Sequence, residues 1–136
     1  SGGVTLVDLA DLASRSDTVS LHAPGGEPGK PVIGRDFLAR MKADAILINT
    51  ARGSHVDEQA LAEALSSGRL GGAALDVMQQ EPPARDNPLL GLPNVVLSDH
   101  AGWYSEATVA TLQQRAGEEA VRIMRGERPQ NWVNPW

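Results

Sequence analysis

AILINTARG, residues 45–53, runs four apolar residues into Asn49, Thr50 and Arg52. A short apolar run without alternation reads as a strand covered on both faces, as in a parallel sheet. Its polar ending places side chains capable of chemistry at the strand's carboxyl tip. Three further runs have the same character: TVSLHA (18–23), GAALDV (72–77) and VVLSDH (95–100). The four start at residues 18, 45, 72 and 95, intervals of 27, 27 and 23. Those intervals approach the roughly 30 residues of a β-α-β unit.

Helical patterns fill the gaps. Leu6, Leu9 and Leu12 share one face before Ser14–Asp17 break it, and a short helix is predicted to hold Phe37, Leu38 and Met41. Asp57 can cap a helix carrying Leu61, Ala64 and Leu65, with Gly68 as its stop. The longest helix is predicted from Ser105, with Val109, Leu112, Ala116, Ala120 and Ile123 on one stripe, ending at Gly126 and Pro129. Alternating strands and helices predict an α/β fold, a Rossmann-like parallel sheet with flanking helices. No G-x-G-x-x-G turn occurs, and four strands are few for an open sheet, so the chain reads as the C-terminal half of such a domain.

Composition narrows the chemistry. The 136 residues carry a net charge of −5 with 12 basic residues scattered along the chain, which argues against nucleic acid or an anionic membrane as the partner. The absence of cysteine removes disulfides, thiolate metal sites and cysteine nucleophiles. No run is long enough to span a bilayer and no charged-then-apolar leader is present, so a cytoplasmic protein is expected.

Ligands of open α/β sheets bind outside the carboxyl ends of the strands. Arg52 follows the second run, Asp76 and then Glu81 follow the third, and His100 ends the fourth. Histidine can pass a proton to or from a carbonyl oxygen near neutral pH, and a carboxylate beside it fixes its tautomer. Arginine presents a planar fork to a carboxylate. Together these suit reduction of a 2-keto acid, with hydride from a cofactor because no side chain supplies one. Each residue taken singly is more simply structural; their recurrence at consecutive strand ends is what favours function. His22 ends a strand and is a further candidate for a cofactor site, although a loop role serves equally. His55, beside the Asp57 cap, is expected to be exposed. Ser54 and His55 are adjacent, so ARGSHVD is no Ser-His-Asp relay. Asp99 and His100 have no second ligand pair at metal spacing, so no metal site is read.

The stretches ILINTARG, VDEQALAEALSSGRLGGAALDV, EPP and LPNVVLSDHAG, in this order, resemble the D-isomer-specific 2-hydroxyacid dehydrogenases from about Leu6 to Gly126. The resemblance implies an NAD- or NADP-dependent hydride transfer between a nicotinamide and a small 2-keto or 2-hydroxy acid. It implies Arg52 as the substrate anchor, His100 as the acid/base and Glu81 as its partner. It further implies that Pro24, Thr50, Ala51, Arg52, Asp76, His100 and Gly102 meet the nicotinamide end of the cofactor. WYSEA (103–107) resembles the C-terminal-binding-protein and glyoxylate-reductase branches, which implies a substrate contact for Trp103. Asp99 stands where the family usually has proline, and GGEPGKP (25–31) departs from the usual loop. The resemblance divides the chain into part of an NAD-binding domain (1–104), a long helix returning toward a substrate domain (105–126) and a tail (127–136). A homo-oligomer, such as a dimer, is expected. Two alternatives stand beside the dehydrogenase: an NAD-sensing, corepressor-like binding module, and an inactive half-domain.

Overall fold

The computed structural model describes residues 3–25 and 29–132. It falls into two compact units that divide between Gly102 and Trp103. In the first unit, α1 (Leu9–Arg15) is followed by β1 (Thr18–Leu21), α2 (Arg35–Arg40), β2 (Ile46–Asn49), a 3₁₀ turn (Gly53–His55), α3 (Glu58–Ser66), β3 (Gly72–Leu75) and β4 (Val95–Leu97). The four strands form one parallel sheet in the order β1-β2-β3-β4. Leu21, Asn49, Leu75 and Leu97 are partners across its last rung. Each predicted strand therefore stops one to three residues early, and the residues beyond it belong to loops at one edge.

Local signals set the helices. Asp57 accepts a hydrogen bond from Ala60 N to open α3, and Gly68 closes it at φ 70°. The first helix is shorter than predicted: Asp8 caps it by accepting from Asp11 N, which leaves Leu6 outside and exposed.

The sheet is covered from one side. Val19, Leu47, Ala73 and Leu75 pack with Phe37, Leu38, Met41, Leu61 and Leu65 in a single core. Alternation sends Ile46 and Val96 to the opposite face, where they are 43% and 68% exposed. Burial on both faces was expected and is not found. The reason is topological. Right-handed crossovers that always step the same way across a sheet deposit their helices on the same face.

The second unit contains α4 (Glu106–Met124), opened by Ser105 accepting from Thr108 N and followed by Gly126 at φ 72°. No residue of α4 is buried, so the predicted stripe of Val109, Leu112, Ala116, Ala120 and Ile123 does not form a core of its own.

Leu47→Ala should lower the unfolding free energy by about 3 kcal/mol, because it hollows the helix-covered face. Ile46→Ala, one residue away on the open face, should change it by less than about 1 kcal/mol. Urea unfolding of both variants distinguishes the two faces, and equal losses would contradict a one-sided core.

Candidate active site

The turn after β2 is held from inside. Asn49 is fully buried; its Oδ1 accepts from Ala51 N at 3.0 Å and its Nδ2 donates to Arg52 O at 2.9 Å. This closes Thr50–Ala51–Arg52 into a fixed turn and leaves the Thr50 and Arg52 side chains exposed. Arg52 Nη1 donates back to Ala51 O at 2.7 Å. Gly53 comes so close to the next loop that a Cβ there would lie 2.1 Å from the carbonyl carbon of Met78. Only glycine allows the Arg52 turn to seat on that backbone. Asn49 was not among the predicted site residues. Its one signal was an amide on the last rung of an apolar strand.

Asp76 organises the end of β4. It is 7% exposed, and Oδ1 accepts from Ser98 Oγ at 2.6 Å and Ala101 N at 2.9 Å. Oδ2 accepts from Gly102 N at 2.9 Å, and Asp76 O accepts from His100 N at 2.9 Å. The loop thus wraps the carboxylate and carries His100 at φ 48°, in the left-handed region. The Ser98 hydroxyl, followed by the Gly102 and Ala101 amides, holds the Asp76 carboxyl below its ordinary value despite its burial.

Glu81 and His100 meet directly. His100 Nδ1 lies 2.7 Å from Glu81 Oε2, and Glu81 Oε1 accepts from Met78 N at 2.9 Å. The imidazole bond, with the Met78 amide behind it, lowers the Glu81 pKa, so this carboxyl is ionised and can only accept. Nδ1 therefore carries the proton, and Nε2 is the nitrogen available to another molecule. The pair is two-fifths exposed and opens on a groove of about 410 Å³ lined by Asp76, Glu81, Pro82, Leu97, Asp99 and His100.

The aligned last rung brings the remaining residues to the same edge. Pro24, Arg52 and His100 each stand three residues past it, after β1, β2 and β4. Strands are spaced about 4.8 Å apart, so the last rungs of β2 and β4, from which the Arg52 and His100 loops leave, are about 10 Å apart. Pro24 is exposed, and Arg52 Cγ passes close to Gly25. Trp103 belongs to the second unit, where its ring meets Tyr104 edge-on at 5.6 Å. His22 is exposed and bonds the Ser20 hydroxyl at 2.8 Å. His55, expected from its place beside the Asp57 cap to be exposed, is instead buried. It is 3% exposed, with Nε2 at 3.2 Å from Ala23 O, because the 3₁₀ turn rolls it inward.

Residues 1–102 match the family described as D-isomer specific 2-hydroxyacid dehydrogenase, NAD binding domain. The chain belongs to that family. It is 47% identical over 132 residues to the glyoxylate reductase of Korarchaeum cryptofilum, covering 97% of this chain and 40% of that enzyme. A D-lactate dehydrogenase from Lactobacillus jensenii solved with NAD⁺ superposes at a TM-score of 0.84 with 30% identity, over 95% of this chain and 43% of that one. An acyclic imino acid reductase in complex with NADPH and D-Arg superposes at 0.84 with 36% identity, over 94% and 40%. The chain thus spans about two-fifths of the length of these relatives, and its residues 1–102 correspond to the family's NAD binding domain.

A carboxyl whose pKa is lowered by folding stabilises the fold above its ordinary value, 3.8 for Asp76, and stops doing so as pH falls through the lowered one. The wild type should lose urea resistance from about pH 6 to about pH 3. Asp76→Asn should be weaker at the upper pH and change less across the range. Parallel pH profiles would show that the carboxylate does not hold the loop.

Proposed function

We propose that this chain forms the catalytic portion of an NAD(P)-dependent D-2-hydroxyacid dehydrogenase, interconverting a small 2-keto acid and its 2-hydroxy acid. The observation that carries the proposal is the Glu81–His100 pair, which commits Nδ1 to the carboxylate and leaves Nε2 for the reacting oxygen. In the reductive direction, protonated His100 donates from Nε2 to the carbonyl oxygen. Glu81 fixes the ring and its tautomer through Nδ1. Arg52 offers its remaining N–H groups to the substrate carboxylate, so the acid is anchored at one strand end and protonated at another.

The bound nicotinamide supplies or accepts the hydride. Its end of the cofactor fits the ledge of Pro24, Thr50, Arg52, His100 and Gly102, with Ala51 and Asp76 buried beneath it, because that ledge lies at the carboxyl ends of the strands. With no glycine-rich turn in this sequence, the pyrophosphate needs residues other than these 136. Relatives hold NAD⁺ in one case and NADPH in another, so either cofactor belongs to the proposal. The working form we take to be a cytoplasmic homo-oligomer, in keeping with the unpaired outer edge of β1. Trp103, two residues past Ala101, is proposed to face the substrate.

The test is an NADH titration of the chain followed by nicotinamide fluorescence, then turnover with a panel of 2-keto acids. His100→Ala should cut turnover by two to four orders of magnitude, roughly, while NADH affinity stays within about twofold. Arg52→Ala should chiefly raise the KM for the keto acid. Equal loss of NADH affinity and turnover in His100→Ala would remove the acid/base assignment.

A further inference from the structure

His55 is the one buried histidine of the described residues, and the proposed chemistry does not use it. Its ring Nε2 lies 3.2 Å from Ala23 O, a pure acceptor, so Nε2 carries the proton and donates. The same residue's carbonyl accepts from Ile33 N at 2.8 Å, and Asp57 N donates to Ile33 O at 2.9 Å. Ile33 and Val56 thereby form an isolated parallel bridge. A single residue thus secures two points of the connection from β1 to α2, its side chain at Ala23 and its backbone at Ile33. Its own position follows from the Arg52 turn, since His55 N donates to Arg52 O at 3.2 Å. Gly25, two residues past Ala23, passes over Arg52 Cγ.

We infer that His55 is a positioning residue that couples the segment Ala23–Gly25 to the turn carrying Arg52. If either segment moves, the ring must move with it or leave the Ala23 carbonyl without its donor. Among the described residues, no other buried side chain is hydrogen-bonded between these two strand ends. On the dehydrogenase reading, the coupling joins two ligand sites. Pro24 lies on the cofactor ledge and Arg52 anchors the acid, so each ligand changes the affinity of the other by the same factor.

Labelled wild type, His55→Leu and His55→Gln are compared by NMR. Leucine suits the buried site but donates nothing, whereas glutamine restores an N–H donor. In wild type the ring nitrogen shifts should report a protonated Nε2, and a protonated Nδ1 would overturn the clasp even if a variant failed to fold. In His55→Leu the Ala23 carbonyl and the Gly25 and Arg52 amides should shift while the resonances of Leu47 and Leu61 stay in place. His55→Gln should return the Ala23 carbonyl toward its wild-type position. Ala23 and Gly25 unmoved in the leucine variant, or glutamine as displaced as leucine, would refute the coupling.

Binding extends the test. NADH should tighten the affinity for oxamate, an unreactive keto-acid analogue, about fivefold in wild type. That ratio should fall toward one in His55→Leu and recover in His55→Gln. A ratio preserved in the leucine variant would overturn the coupling between ligands. If wild type bound no NADH, the linkage between ligands would be refuted for these 136 residues, and the NMR comparison would still decide the clasp.

Discussion

The Asp76 carboxylate is the fixed point of the first unit's carboxyl edge. It leaves β3 and enters the loop after β4, where one hydroxyl and two amides converge on its oxygens. A buried anion is tolerable only when hydrogen bonds replace its water, and here the replacements all come from the loop being shaped. The left-handed backbone at His100 follows from that wrapping, because the chain must turn sharply between Ser98 and Ala101 to reach one carboxylate. A Cβ on Gly102 would press to 2.9 Å from Oδ2, so the next residue is constrained as well. Without the carboxylate, the Ser98 hydroxyl and the Ala101 and Gly102 amides would lose their shared acceptor and the histidine its backbone geometry.

Around this point the edge is rigid for reasons that have little to do with the core. The Asn49 amide closes one turn, the Gly53 contact seats that turn on Met78, and Met78 N holds Glu81. Arg52, Glu81 and His100 are thereby joined through three loops by short polar contacts, while their functional atoms stay exposed. The hydrophobic core lies beneath the sheet and contributes stability. Polar satisfaction at the edge contributes geometry, which is what proposed proton transfer and carboxylate binding need.

Much of this was legible in the sequence. The four apolar runs located every strand, because parallel strands leave no alternation to misread, and their spacing gave the parallel order. Asp57, Ser105, Gly68 and Gly126 marked helix ends through chemistry that acts within a few residues. Arg52, Glu81 and His100 emerged because topology alone brings residues past strand ends to one edge. What escaped depends on contacts distant in sequence. The burial of His55 is decided by Ala23, 32 residues away. The early helix was read too long because Asp8 was not recognised as its cap. Two-sided burial was inferred from apolar runs that do suit two covered faces. Covering the second face, however, depends on the direction of strand order, and that is no property of a single run.

The one-way order of the sheet has a geometric consequence at β1. For helices to reach the face holding Ile46 and Val96, strands must be added beyond β1 in the opposite sense, since reversing direction is what moves a right-handed crossover to the other side. β1 would then stand at a topological switch point. There the loops of neighbouring strands diverge in opposite directions and open a crevice. Pro24 would stand on one lip of it, three residues past the last rung, as Arg52 and His100 are past theirs. A ligand reaching across β1 would enter that crevice beside this chain's carboxyl-end loops.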